Sequence, residues 1–229
     1  MSKKVIILVG GRGKMGSNFA KILSKKYHII IFDKLNENKV SNYIQVDLSK
    51  KIDQKKLIIN KKFKNIVAII NLVRDSYINI NDPSHYFTFF NYSRFLENLI
   101  TINKIKNCNV INISSINVKL ISQQSYGYHF SKLNLELFTK YFSVKYLKKN
   151  IFFNDIRVGL VNTKNIEKIL SKRNLKNIIK LNKMLNYKKL IDHIENIYIK
   201  NSILTGTCLT IDNSFSNFDQ IYFHNLAKK

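Results

Sequence analysis

Four of the chain's seven glycines, Gly10, Gly11, Gly13 and Gly16, fall within seven residues, directly after the apolar run Val5 to Val9. A glycine-dense turn between a strand and a helix restricts the possible folds more than any other feature of the sequence. Glycine permits a tight reversal, and it lets backbone approach a ligand or a neighbouring strand more closely than a Cβ would allow. The helix that follows offers unpaired N–H groups at its start, a ready site for a pyrophosphate. Gly11-x-Gly13-x-x-Gly16 therefore predicts a strand, a phosphate-binding turn and a helix in that order. Gly10, Gly11, Arg12, Gly13, Lys14, Met15 and Gly16 are the expected contacts to a dinucleotide. Asp33 ends the next apolar run, 20 residues after Gly13. A carboxylate there can accept hydrogen bonds from the adenosine ribose hydroxyls and repels a 2′-phosphate, which favours NAD. Arg12 and Lys14 argue for NADP, since either can meet that phosphate; the balance favours NAD.

Short apolar runs continue along the chain at Val5 to Val9, His28 to Phe32, Tyr43 to Val46, Ile66 to Leu72, Val110 to Ile113, Ile151 to Val158 and Cys208 to Ile211. Segments long enough for helices lie between them, at Lys14 to Lys25, Ser84 to Lys104, Tyr126 to Lys148 and Lys188 to Ile199. Strands alternating with helices imply an α/β fold, a parallel sheet of about seven strands with helices on both faces. The only proline, Pro83, precedes a predicted helix, where its missing N–H costs little. Nothing interrupts the alternation, so residues 1 to 229 read as a single domain. Asn162 to Asn186 is the least regular stretch and the candidate substrate loop.

The formal charge of +25, from 39 Lys+Arg against 14 Asp+Glu, raises the question of a polyanion partner. The arginines are few (Arg12, Arg74, Arg94, Arg157, Arg173), the lysines are scattered, and no block of like charge forms an arm. The charge reads as a solvated surface, with no specific nucleic-acid partner. Two cysteines, Cys108 and Cys208, exclude a disulfide scaffold and a four-ligand zinc module and point to a reducing, cytoplasmic setting. No metal-ligand spacing occurs among the histidines and cysteines. No apolar run approaches the roughly 20 residues of a membrane span, and no signal peptide is expected at the start.

Tyr128-His-Phe-Ser-Lys132 is a Tyr-x-x-x-Lys pattern, and alone it carries little weight, since Tyr141 and Lys145 repeat it. Context separates the two. Val110-Ile-Asn-Ile-Ser-Ser115 is a buried strand ending in two serines, and Ser115 precedes Tyr128 by 13 residues. The second pair has no such partner.

With these motifs in register, the chain resembles the short-chain dehydrogenase/reductase family over nearly its whole length. Val46-Asp47-Leu48 is similar to the family's adenine-contacting step, and Ile70-Asn71-Leu72-Val73 stands where the family has an Asn-Ala-Gly turn under the cofactor. Asn91 matches the family's helix-bending asparagine. Arg157-Val-Gly159-Leu-Val-Asn-Thr163 resembles the segment whose threonine holds the nicotinamide amide, and Thr205-Gly206 with Leu209-Thr-Ile-Asp212 resembles the closing strand. The chain departs from the pattern at Val9, Val73, Val158 and Asn213-Ser214, which replace a threonine, a glycine, a proline and a Gly-Gly pair. None of these removes a proton-transfer group.

The resemblance implies a Rossmann-type doubly wound fold, a bound dinucleotide (Asp47, Leu48, Asn71 and Thr163 among its contacts) and hydride transfer to or from a small-molecule substrate. Neutralising an alkoxide in a dry site requires a proton donor or acceptor at the substrate oxygen. Tyr128 is the candidate. A free phenol has a pKa near 10, and an ammonium held nearby brings it down. Lys132, one helical turn on, is that ammonium and also reaches the nicotinamide ribose. Ser115 orients the substrate oxygen, with Ser114 as the alternative, and Asn91 anchors a water that passes the proton to solvent. His129 is rotated about 100° from Tyr128 along the helix and is expected to face outward.

The spacing Gly10-x-x-Gly13-x-x-Gly16, and the 24 residues from Asn91 to Ser115, resemble the family's extended, nucleotide-sugar-handling branch. The Ser-to-Tyr spacing and the short C-terminal end resemble its shorter branch. The expected substrate is a carbonyl or secondary alcohol of a small polar molecule, with a sugar or nucleotide-sugar among the candidates. A non-catalytic dinucleotide sensor is the competing function, and the complete Ser, Tyr, Lys set speaks against it. The resemblance also implies a homodimer or homotetramer built through the two long helices, whose aromatic-rich faces carry Phe87, Phe89, Phe90, Phe95, Phe130, Phe138, Tyr141 and Phe142.

Overall fold

Every residue of Val5–Val9 and of Cys108–Ser115 is buried, which only a strand covered on both faces requires. In the computed structural model these and five other strands form one parallel sheet. The structure describes residues 3–35, 42–48, 50, 52–60, 63, 65–74, 84–120, 126–161, 184–200 and 203–216, with side chains from residue 90 onward in the segment 84–120. The strands are β1 (Val5–Val9), β2 (His28–Asp33), β3 (Tyr43–Gln45), β4 (Ile66–Asn71), β5 (Cys108–Ser115), β6 (Ile151–Val158) and β7 (Cys208–Ile211), in the spatial order 3-2-1-4-5-6-7. The order reverses direction between β1 and β4. Outside the carboxyl ends of those two strands lies the crevice where ligands bind in sheets of this kind. Val9 pairs with Asn71 there.

The period-2 alternation of each strand sorts its side chains into two cores. Val5, Ile7, Val9, Phe32, Val110 and Phe153 face α2 (Ser84–Ile102) and α3 (Tyr126–Lys145). Ile6, Leu8, Ile70, Ile111 and Ile156 face α1 (Lys14–Leu23) and α4 (Tyr187–Ile194). The seven expected strands are all present, with β5 extending through both serines. Each expected helix is present too, the first three ending two or three residues sooner than expected and the fourth starting one residue earlier. The fourth passes at Glu195 into a π-helical turn, Glu195–Lys200. Its start is set by Asn186, whose Oδ1 accepts from the backbone N–H groups of Lys188 and Lys189. Between β3 and β4 lies the 3-10 turn Gln54–Leu57.

The aromatic residues expected to build a subunit interface divide differently. Phe95, Phe138 and Phe142 are core residues, packed with Phe153 and Tyr92. They point inward because α2 and α3 cover the sheet and need large side chains to fill the space. Phe90 and Tyr141 are exposed, and the side chains of Phe87 and Phe89 lie outside the described ones. The exposed apolar face of α3 is instead Leu133, Leu137, Tyr141 and Val144, each 55 to 78% exposed. Among the described residues no helix is long and apolar enough to cross a membrane.

Candidate active site

The glycine turn is shaped by contacts that leave no room for a side chain. Gly10 adopts a left-handed backbone (φ +77°) while its N–H donates to the Phe32 carbonyl, and a Cβ on it would lie 2.9 Å from the Val73 nitrogen. A Cβ on Gly16 would lie 2.5 Å from the Gly11 backbone, so the first turn of α1 rests directly on the loop. Gly10, rather than Gly11, supplies the reversal. Gly13 is different: a Cβ there would meet only the Gly10 carbonyl, at 3.6 Å. It is the N-cap of α1, and no side chain caps that helix start. The first N–H groups, those of Lys14, Met15 and Gly16, thus stand at an end whose glycine leaves space in front of it, which suits a pyrophosphate.

Asp33, at the end of β2, is drawn to this turn. Its Oδ2 accepts from the Arg12 backbone N–H at 2.9 Å and its Oδ1 from the Leu35 N–H at 3.1 Å. The carboxylate therefore stands beside the glycine loop, where an adenosine ribose would lie. Arg12 contributes its backbone to this contact. Asp47 and Leu48 follow β3, and Val46 N–H donates to the Asp33 carbonyl, which places them at the same edge.

Asn71 ends β4 fully buried. Its Oδ1 accepts from Val73 N–H and its Nδ2 donates to Asn112 Oδ1. Asn112 also accepts from the Tyr92 hydroxyl and donates to Thr139 Oγ1. One buried polar network thus ties β4, β5, α2 and α3 together behind the site. Within it, burial raises the Tyr92 phenol well above its ordinary range.

Lys132 is buried on α3, and its ammonium donates to the Val73 and Ile113 carbonyls, each at 3.1 Å. These carbonyls belong to the ends of β4 and β5, and Val73 is the residue against which Gly10 rests. The helix turn from Tyr128 to Lys132 brings the ammonium 6.0 Å from the centre of the Tyr128 ring, and the Arg74 guanidinium lies 5.6 Å from the same centre. Tyr128 is half-buried.

Successive residues of a strand face opposite ways, and this separates the two serines. Ser114 turns toward α3, and its hydroxyl donates to Asp155 Oδ1 at 2.6 Å. Ser115 turns to the other face, and its Oγ accepts from the Asn117 N–H, capping the short turn Ile116–Val118. His129 does not face outward. It is half-buried, and its Nδ1 donates to the Asn117 carbonyl at 2.7 Å, because the turn after Ser115 folds back onto the start of α3. Asn91 is half-buried on α2, one residue before Tyr92. Thr163 and residues 162–183 of the expected substrate loop lie outside the described residues.

Two features escaped the sequence reading. One is the Asn71–Asn112–Thr139 network. The other is a cluster of ionisable groups under α3, Glu136, Asp155 and Arg157, in which Arg157 and Glu136 form a bidentate ion pair. A charged residue inside the apolar run Ile151 to Val158 was the available signal for the second.

Comparison with known proteins agrees with this fold. A family model described as enoyl-(acyl carrier protein) reductase matches residues 63–214. No curated protein matches the chain in sequence. Among solved structures, a 4-hydroxyisoleucine dehydrogenase complexed with NADH is 24% identical, with a TM-score of 0.72, over 92% of this chain and 98% of that one. A short chain dehydrogenase from Leptospira borgpetersenii with bound NAD+ is 21% identical, with a TM-score of 0.72, over 94% of each chain. ElxO with NADP bound is 21% identical, with a TM-score of 0.71, over 94% of this chain and 99% of that one.

Proposed function

The chain belongs to the short-chain dehydrogenase/reductase family, an NAD(P)-dependent oxidoreductase of that type, and on that premise we propose which cofactor it prefers and which residues do the work. It prefers NAD and acts on a carbonyl or secondary alcohol of a small polar substrate, a sugar or nucleotide-sugar. The observation that carries this reading is the placement of Lys132: a buried ammonium fixed by Val73 and Ile113, beside the Tyr128 ring and bonded to the same residue that meets Gly10.

The α1 N-terminus and the glycine turn hold the pyrophosphate, Asp33 takes the ribose hydroxyls, and Asp47 and Leu48 border the adenine. When bound, the nicotinamide supplies the hydride acceptor or donor. Tyr128 takes the hydroxyl proton of an alcohol, or returns it to a carbonyl oxygen. The fixed charge of Lys132 favours the phenolate, which makes the phenol a competent base near neutral pH. Two backbone carbonyls stabilise the ammonium form and hold it in place. Ser115, on the face away from Asp155, orients the substrate oxygen, and Asn91 passes the proton outward through a water. Asp33 supports NAD over NADP because a 2′-phosphate would meet a carboxylate already held in place by Arg12 N–H.

The protein works as a homo-oligomer. Leu133, Leu137, Tyr141 and Val144 recur on one side of α3 and would otherwise leave a contiguous apolar strip in water.

Titration of NADH and NADPH fluorescence, followed by a panel of aldoses, nucleotide-sugars and secondary alcohols with NAD+, tests the reading. Tighter binding of NADH and production of NADH from a panel member are expected. Failure to bind either dinucleotide overturns it.

A further inference from the structure

Asp155 is a carboxylic acid in the middle of β6 with no exposed surface. Its Oδ1 accepts the Ser114 hydroxyl at 2.6 Å, while Oδ2 is buried without a hydrogen-bond partner among the described residues. The mechanism above does not use it, and a lone buried carboxylate oxygen is costly to keep ionised.

Titratable and polar groups approach it from five elements. From α3 come Lys132 and Glu136, from β6 itself Arg157, from β5 Ser114, from β7 Cys208, and from the π-helical turn Tyr198. Arg157 and Glu136 neutralise each other as a bidentate pair. Lys132 is committed to Val73 and Ile113. Asp155 is therefore left with one neutral hydroxyl as its direct partner.

That hydroxyl occupies a particular place in the chain. Ser114 lies between Ile113, whose carbonyl holds the Lys132 ammonium, and Ser115, assigned to the substrate oxygen. The path Asp155, Ser114, Ile113 carbonyl, Lys132, Tyr128 is continuous, with one hydrogen bond at each non-covalent step as far as Lys132.

We infer that Asp155 is a positioning residue for proton transfer: its carboxyl gains and loses one proton with solvent, and its charge state sets the acidity of Tyr128 through Ser114 and Lys132. The inference rests on the Tyr128 and Lys132 chemistry proposed above. Burial, with Glu136 adding to it, pushes the carboxyl up to about 7, against the opposing Ser114 hydrogen bond and the Lys132 and Arg157 charges. Below that pH the group is neutral and leaves the Lys132 field on Tyr128 undiminished. Above it the new negative charge offsets part of that field, and the phenolate becomes harder to form.

The titration arm of the test needs no substrate. Protein labelled with 13C at the aspartate carboxyl and the tyrosine Cζ is titrated by NMR, alone and with NAD+. The Asp155 and Tyr128 signals are assigned by their loss in Asp155→Asn and Tyr128→Phe. We expect the Asp155 signal to titrate near neutral pH and the Tyr128 midpoint to fall by about half to one pH unit in Asp155→Asn. Ser114→Ala removes the hydrogen bond that favours the anion, so it moves the Asp155 midpoint upward; it also serves if Asp155→Asn does not fold. An Asp155 signal that titrates as an ordinary aspartate, or a Tyr128 midpoint equal in wild type and Asp155→Asn, overturns the inference. A Tyr128 that titrates as a free phenol in every variant, with turnover retained in Tyr128→Phe, overturns the underlying reading instead.

Discussion

The Lys132 ammonium lies 3.1 Å from the carbonyl oxygen of Val73, the residue whose backbone nitrogen closes against Gly10. The dinucleotide turn and the proton-transferring helix thus meet on one residue at the end of β4. Lys132→Met keeps the length of the side chain but leaves the Val73 and Ile113 carbonyls unpaired. It should lower turnover by about 100-fold or more and cost about 1–3 kcal/mol of stability. Steady-state kinetics and urea unfolding measure the two effects.

The glycines of the turn should separate by function. Gly16→Ala drives a Cβ into the Gly11 backbone, so it should cost about 1–3 kcal/mol and weaken NADH binding together. Gly13→Ala meets only ordinary van der Waals contact and should keep the thermal midpoint within about 2 °C. It should still weaken NADH binding about tenfold, because the added methyl stands where backbone must approach the pyrophosphate. Thermal unfolding and fluorescence titration of both variants check the contrast.

Asp33→Ser removes the carboxylate beside Arg12 N–H while leaving a small acceptor. NADH should bind about tenfold more weakly and NADPH more tightly, so that the ratio of the two dissociation constants moves toward NADPH. An unchanged ratio would mean that Asp33 does not read the ribose.

Much of this arrangement was legible in the sequence, and what was not has a physical reason. Continuous apolar runs gave away the strands, because a strand buried on both faces has no polar alternation to hide it. The turn built by the glycines, and the place of Asp33 beside it, were readable because they depend on local backbone and fixed spacing. The choice between Ser114 and Ser115 was not, since it depends on which face of β5 meets α3. Asn112 and its partners Asn71, Tyr92 and Thr139 are 20 to 41 residues apart in sequence, and only the sheet and helix packing brings them together. On α3, apolar residues occupy both the buried and the exposed sides, so the sequence alone could not separate Phe138 and Phe142, which are buried, from Tyr141, which shares the open face with Leu133 and Leu137.

Glu195 joins the end of α1 to the π-helical turn. Buried to 2% exposure, it accepts from Lys26 Nζ and the Tyr27 hydroxyl and lies near Lys200. Burial opposes its ionisation, but the Lys26 and Tyr27 hydrogen bonds outweigh that and hold the carboxyl below its ordinary range. A depressed carboxyl stabilises the fold above its unfolded pKa, and that stability is lost as pH falls through the folded value. Glu195→Gln should therefore be less stable than wild type at pH 7, by about 1–3 kcal/mol. The gap should close as acid takes the pH below the usual carboxylate range. Urea midpoints at pH 7 and in acid measure it.

Asn213 and Ser214 take left-handed backbones (φ 51° and 59°), the region that favours glycine. A side chain in that conformation is strained by about 1 kcal/mol. Ser214→Gly should raise the thermal midpoint by a few degrees without changing NADH affinity, which differential scanning calorimetry can establish.

The account stands or falls on the phenol of Tyr128. Single-turnover production of NADH from an active alcohol, compared in wild type and Tyr128→Phe at saturating NAD+, measures its contribution directly. A rate lower by about 100- to 10,000-fold, with NADH affinity unchanged, is the predicted result. Equal rates in the two proteins would contradict it.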